Sequence, residues 1–257
     1  MTLVTAKALE KTYIAGDITV RAIRGIDFTI EPASFVSFVG PSGSGKSTLL
    51  NMIGCLDPPT NGFLEVAGQE VTHFRSKESA RFRGDHIGFI FQDFNLIPVL
   101  TVFENIEYPL QMVQNWPTGK RKQRVQELLE AVGMKDQGNK FPSQISGGQK
   151  QRVAVARALV TNAKLVLADE PTANLDRETA NRIISLMKQM RDEFGTTFIF
   201  STHDSKVMKS AEKIFTLEDG KLEQQANGKD SPKNKFTFSG VEAPAWQGAR
   251  RANSRAI

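Results

Sequence analysis

The sequence predicts an α/β fold with a mostly parallel core sheet, an antiparallel β part at the N-terminus, and a helical insert between groups of core strands. Three observations point there. Short apolar runs such as "FVSFVG" (35–40) and "KLVLAD" (164–169) read as strands buried on both faces. A helical stretch separates the later runs, which is βαβ order and requires a parallel sheet. Between Asp93 and Val160 only helical signals occur. The 257 residues suffice for a buried core in one large or two small domains.

Taken in order, the first segment reads as strands, with "ITVRAIRGIDFTI" (18–30) β-branched and partly alternating. The run "FVSFVG" leads straight into "PSGSGKSTLLNMIGCL" (41–56), a loop followed by a helix. The stretch "GFLEVAGQEV" (62–71) reads as a hairpin, and "HIGFIFQ" (86–92) as a buried strand ending on a polar residue. In "TVFENIEYPLQM" (101–112), Thr101 and Glu104 have capping-box spacing. In "KRKQRVQELLEAVG" (120–133), Val125, Leu128, Leu129 and Val132 recur on one helical face, and Gly133 is a natural stop. The basic residues Lys120, Arg121, Lys122 and Arg124 read as the solvated start of that helix. The run "KLVLAD", the helix "RETANRIISLMKQMRDEFG" (177–195) and "TFIFST" (197–202) make the βαβ unit. The hairpin "IFTLEDGKLE" (214–223) closes the body, with Asp219-Gly220 suited to a type I′ turn. Residues 1–224 therefore read as one domain, with the helical insert at about 93–160. Residues 225–257 read as a disordered or loosely docked basic tail.

The net charge of +5 is mostly that tail. From Gln225 onward there are six basic and two acidic residues, which leaves the body close to neutral. The charge is thus poor support for nucleic-acid binding. One cysteine, Cys55, excludes an internal disulfide and fits a reducing compartment. No apolar run approaches the ~20 residues of a membrane span, and "MTLVTAKALEKTY" lacks a signal-peptide pattern.

The stretch "GPSGSGKS" satisfies G-x-x-x-x-G-K-[ST] in full, between a predicted strand and a predicted helix. Gly40, Pro41, Ser42, Gly43, Ser44 and Gly45 form a loop whose backbone N–H groups can turn toward phosphate oxygens. The helix that follows, through Thr48, adds the positive end of its dipole. Lys46 supplies a mobile charge for β- and γ-phosphates, and the Ser47 hydroxyl is a hard oxygen ligand for Mg2+. The run "LVLADE" ends in adjacent carboxylates at what would be the carboxyl edge of the sheet, where ligands bind. Asp169 is placed to hold Mg2+, and Glu170 to act as general base on an attacking water.

"ISGGQKQRVAVARAL" (145–159) sets a Ser-Gly-Gly turn before a basic helix, far in sequence from the phosphate loop. With these elements in order, residues from about Leu3 to Leu222 resemble the ATPase subunit of ABC transporters, in which "ISGGQ" is the signature motif. The resemblance implies a P-loop NTPase with a RecA-like core, ATP and Mg2+ as ligands, and a homodimer paired head to tail. Each signature (Ser146, Gly147, Gly148 and Gln149 here) would then cap the ATP on the partner's phosphate loop. It further implies that Gln92 is the Q-loop glutamine, contacting Mg2+ or its water. His203 in "STHD" becomes the switch histidine at the γ-phosphate, "ANLD" (173–176) the D-loop, and Tyr13 the aromatic that stacks on adenine. His73 and His86 match nothing in the family pattern. Two departures, Ile145 for the usual Leu and Ala33-Ser34 for Gly-Glu, leave every phosphate, Mg2+ and base position intact.

The stretches "FQDFNLIPVLTVFENIEYPL" (91–110) and "PTANLD" (171–176) look most like the branch serving lipoprotein release, macrolide export and cell division. That implies an integral membrane permease partner, which reads the cargo, and a peripheral position on the cytoplasmic face of the inner membrane. The rival class is a nucleic-acid or chromosome-associated ATPase of the same superfamily. Those carry long coiled-coil insertions or two cassettes, whereas this chain has one phosphate loop, one signature and a short insert. A module that binds ATP without turnover is disfavoured by the intact Glu170 and His203.

Overall fold

A computed structural model describes residues 2–202, 208 and 210–227. The basic tail expected beyond the body lies outside these residues, except that the last strand continues through Asn227.

Two sheets form the frame. The first is antiparallel, in the order β2 (Ile18–Ile30), β1 (Val4–Ala15), β4 (Asn61–Val66), β5 (Gln69–Glu70). Its β4–β5 hairpin turns through Ala67 and Gly68, both at positive φ. The second has the order β10 (Lys221–Asn227), β9 (Lys213–Glu218), β3 (Phe35–Val39), β8 (Thr197–Thr202), β7 (Leu165–Asp169), β6 (Ile87–Ile90). Its neighbours pair in parallel from β9 to β6, and only β10 runs antiparallel. The β9–β10 turn places Asp219 and Gly220 at φ 47° and 76°, as a type I′ turn demands.

The parallel sheet is the middle layer, as the fully buried run of β3 requires. Phe35 faces one apolar cluster and Val36 and Phe38 the other, the period-2 alternation of a strand. One cluster joins that sheet to the antiparallel sheet and to α1 (Lys46–Ile53), with Phe28, Phe38 and Phe215 in mutual ring contact. The other packs α3 (Val102–Met112), α4 (Thr118–Ala131), α5 (Gly147–Leu159) and α6 (Arg177–Phe194) on the opposite face. Val125, Leu128, Leu129 and Val132 are all buried there, and Gly133 follows at φ 69°. The helical insert therefore shares a core with the sheet instead of building its own.

The Thr101 capping box forms: the Glu104 N–H donates to Thr101 Oγ1 at 3.2 Å, and the Thr101 N–H to Glu104 Oε2 at 2.7 Å. Two features differ from the sequence reading. Helix α2 (Ser76–His86) buries only Phe82, so it shows no apolar stripe to read. It takes His86 as its last residue, and β6 is shorter than the expected 86–92 strand. The chain leaves the sheet after Ile90 and turns through Phe94 and Asn95, both at positive φ.

Candidate nucleotide-binding site

Strand β3 delivers the chain to Gly40, and α1 begins at Lys46. Gly45, the N-cap, sits at φ 104°, and a Cβ there would lie 2.6 Å from the Ala22 carbonyl oxygen, so only glycine fits. Helix α1 has no side-chain cap and no acidic residue in its first turn, which leaves its N–H groups and positive dipole end for an anion. The buried Ser44 Oγ has no partner among the described residues. Lys46 departs from the picture of a mobile charge. It is 8% exposed, and its Nζ donates to the carbonyls of Gly40 (2.9 Å) and Pro41 (2.8 Å), tying the loop closed. A phosphate reaching the loop must exchange for those carbonyls.

The carboxylate pair stands beside this loop. Parallel pairing aligns Val39 with Thr202, and Ser201 with Asp169. Two strand spacings, about 10 Å, therefore separate the end of β3 from the end of β7. The Ser201 hydroxyl donates to Asp169 Oδ1 at 2.6 Å and accepts the Glu170 N–H at 3.0 Å. Glu170 has φ 46°, a costly backbone for a non-glycine residue, and it marks the sharp exit of the chain from the sheet. Both acids are half-buried at the sheet edge. Ser201 was not singled out in the sequence; its position on β8 opposite Asp169 becomes visible only through strand register.

On the far side of β7, Gln92 lies two residues beyond β6, with its side chain exposed. Asn174 Nδ2 donates to the Gln92 carbonyl and to Asp93 Oδ1, both at 3.0 Å, so the 173–176 and 92–95 turns are joined. Arg157 of α5 donates to the carbonyls of Asn95 (2.5 Å) and Phe94 (2.8 Å). Burial pulls its guanidinium below the usual arginine range. Arg157 is thus a clamp on the segment that carries Gln92, and not surface charge. His203 lies outside the described residues, directly after β8.

The signature turn stands elsewhere. Ser146 is the N-cap of α5; its Oγ accepts the Gln149 N–H (3.3 Å), while Gln149 Oε1 accepts the Ser146 N–H (2.9 Å). This is a capping box, legible as S-x-x-Q, and it starts the helix at Gly147, two residues earlier than expected. The cap uses a lone pair of Ser146 and leaves its hydroxyl proton for an outside acceptor. A Cβ on Gly148 would meet Thr179 Cγ2 at 2.5 Å, so this glycine also lets α5 approach α6. Ser146 to Gln149 line a hollow of about 760 Å3 with Arg152, Asp176 and Arg182. No residue of 40–48 lines it.

Tyr13 is 39% exposed on β1, opposite Val20. Its hydroxyl donates to Asp57 Oδ2 at 2.6 Å.

Among the described residues no group of three or more His, Cys, Asp or Glu is arranged to hold a metal. Mg2+ does not need one. It binds through one or two protein oxygens, substrate phosphates and waters. Ser47, Gln92 and Asp169 are hard oxygen donors at the loop and the neighbouring strand ends, and so fit that ion.

The sequence profile of the ABC transporter family matches residues 23–173, more than half of the chain. The chain belongs to the ABC transporter family. Relatives of this ABC cassette include an uncharacterized ABC transporter ATP-binding protein of Thermotoga maritima, 43% identical over 83% of this chain and 90% of the relative. The lipoprotein-releasing system ATP-binding protein LolD 1 of Caulobacter vibrioides is 41% identical over 86% of this chain and 94% of its own length. A macrolide export ATP-binding/permease protein MacB, from Syntrophobacter fumaroxidans, is 38% identical over 98% of the cassette, which spans 36% of that longer relative. The cassette also superposes on a dimeric post-hydrolysis structure of the ATP-binding cassette MJ0796 bound to ADP and Pi. There the TM-score is 0.80 and the identity 40%, over 89% of this chain and 100% of that one. This ABC cassette is the ATP-binding and ATP-hydrolysing part of a transporter system, and no helix among its described residues is long and apolar enough to cross a membrane.

Proposed function

We propose that the chain works as a homodimer that clamps two ATP molecules between its copies and drives an integral membrane permease from its cytoplasmic face. The observation that carries the dimer is the separation of the two half-sites. The phosphate loop lies at the end of β3, and the signature turn opens on a hollow that contains none of that loop. The exposed Ser146 hydroxyl and the N-terminus of α5 then have an anion to meet only on a second copy.

In this reading the loop from Gly40 to Thr48 wraps the phosphates, and Lys46 moves from the Gly40 and Pro41 carbonyls to the β- and γ-phosphate oxygens. Tyr13 stacks on the adenine. Ser47, Asp169 and Gln92 hold Mg2+, which when bound neutralises phosphate charge. Glu170 accepts a proton from the attacking water as its oxygen bonds the γ-phosphorus and the bond to the bridging oxygen breaks, giving ADP and phosphate. His203 bonds the γ-phosphate, and Ser146, Gly147, Gly148 and Gln149 of the second copy cap it. Loss of the γ-phosphate removes the bridge and opens the clamp. The turn 92–95, held by Asn174 and Arg157, carries that change to the helical insert. Relatives named for lipoprotein release and for macrolide export, the latter an ATP-binding/permease protein, support a membrane permease as the partner.

The test is ATP hydrolysis by the purified chain with and without Mg2+, together with recovery of the chain from membranes. Glu170→Gln is expected to abolish turnover and to accumulate an ATP-bound dimer. Normal hydrolysis by that variant would remove Glu170 from the base role. Recovery of the chain with DNA, and not with a membrane protein, would overturn the permease assignment.

A further inference from the structure

Three residues outside the phosphate loop form a closed set at the base of the Tyr13 ring. Lys11 is 7% exposed, two residues before Tyr13 on β1. Its Nζ forms an ion pair with Asp57 Oδ1, donates to the Pro58 carbonyl at 2.6 Å, and sits 5.0 Å from the Tyr13 ring centroid. Asp57 spends its other oxygen on the Tyr13 hydroxyl, at 2.6 Å.

Asp57 is itself fixed to α1. The N–H groups of Leu56 and Asp57 both donate to the Asn51 carbonyl, at 2.8 and 3.3 Å. The segment is stitched to β1 as well, through the Thr60 N–H to the Glu10 carbonyl (2.9 Å) and the Thr12 N–H to Thr60 Oγ1 (3.0 Å). One end of α1 therefore carries Lys46, and the chain just beyond its other end carries the carboxylate that holds Tyr13. The phenol ring is held at a set reach from the phosphate loop. A cation over a π face also draws electron density toward itself, which favours stacking of an electron-rich purine on the ring.

We propose that Lys11 and Asp57 are positioning residues that lock Tyr13 as the nucleobase platform and thereby set the affinity contributed by the base. The proposal rests on the reading of Tyr13 as the adenine-stacking residue. A buried lysine is a costly residue unless its charge is matched, and a solvated aspartate would serve any loop. Their pairing directly beneath an exposed aromatic ring fits orientation of that ring better than stabilisation of the 56–61 turn alone. Hydrogen bonds to charged acceptors are the stronger class, and a fixed ring loses less freedom when a base stacks on it.

The experiment uses the full chain and two probes, ATP and inorganic tripolyphosphate, each with Mg2+. The second has the phosphates without the base. Tyr13→Phe, Asp57→Asn and Lys11→Met are each expected to weaken ATP binding and raise KM by up to about tenfold. Tripolyphosphate affinity is expected to stay within about twofold, and kcat to change much less than KM. Tyr13→Ala separates the two layers of the argument. Unchanged ATP affinity in Tyr13→Ala would remove the platform, and the proposal with it. Weakened ATP binding in Tyr13→Ala with none in Asp57→Asn and Lys11→Met would leave the platform and overturn the anchor. Equal loss of both probes in Asp57→Asn or Lys11→Met would assign the pair to folding of the loop and would also overturn the proposal.

Discussion

The Ser201 hydroxyl bridges the two adjacent acids at the end of β7: it donates to Asp169 Oδ1 at 2.6 Å and accepts the Glu170 main-chain N–H at 3.0 Å. One side chain on β8 thus orients the carboxylate proposed for Mg2+ and holds the strained residue proposed as base. Ser201→Ala removes both bonds at almost no change of volume. A hydrogen bond to a carboxylate contributes about 1.5–3 kcal/mol. The expected result is a fall in kcat of about tenfold or more, with nucleotide affinity nearly unchanged. Steady-state ATPase assays at several Mg2+ concentrations check it, because a misoriented Asp169 raises the Mg2+ requirement.

Arg157 gives a second prediction. Its guanidinium spans the Phe94 and Asn95 carbonyls, and both of those residues hold positive φ. Arg157→Met keeps the stem and removes both donors. The loss is about 3 kcal/mol or more, from two charge-assisted hydrogen bonds at about 1.5–3 kcal/mol each. For a chain of this size that lowers the melting temperature by about 6 °C or more, read by thermal unfolding. The turn bearing Gln92 is released at the same time, so stimulation of hydrolysis by the permease is expected to fall more than basal turnover does.

A third prediction concerns pH. Burial pushes the Cys55 thiol up to about 11 from its ordinary 9.0, so the folded chain keeps a proton that the unfolded chain releases. The stability from this group is fully present below pH 9 and is lost as pH rises toward 11. Denaturant unfolding of the chain and of Cys55→Ala should therefore show the difference between them changing in that window, with the parent losing ground. A constant difference across it would mean that the thiol is not held protonated by the fold. The same burial makes Cys55 slow to alkylate in the native state.

The pattern of what the sequence reveals follows from which signals are local. The phosphate loop and the Thr101 cap are short, contiguous and tied to helix or strand ends, so each is readable in isolation, whereas Asp169-Glu170 gains meaning only from the apolar run before it and the phosphate loop upstream. The βαβ unit is readable because β7 and β8 are continuous apolar runs on either side of an amphipathic α6. Helix α2 escapes because it lies on the surface with only Phe82 buried, and periodicity is the record of a buried face. Ser201, the contact that Asn174 makes from within "ANLD", and Asp57 escape for a different reason. Each acts through a partner 32, 82 or 44 residues away, at Asp169, Gln92 and Tyr13, and register between distant elements is not written locally. Ser146 and Gln149 stand between these cases: their capping box is a local signal. The bonds of Lys46 to the Gly40 and Pro41 carbonyls, which close the loop on its own cation, carry no local sequence signal.

In the proposed dimer the signature turn of one copy completes the phosphate site of the other. Mixing two inactivated chains tests it most directly. In a Glu170→Gln background, which is expected to hold ATP in the dimer, one chain carries Lys46→Ala and the other Ser146→Arg. Neither alone should trap ATP, since every site in each homodimer is damaged. If the sites are shared between copies, the mixed dimer has one site with both lesions and one with neither. Mixing is then expected to restore trapping, at about one ATP per mixed dimer. If Ser146 served the phosphate loop of its own chain, both sites of the mixed dimer would stay broken, and an absence of trapped ATP after mixing would rule out sites shared between copies.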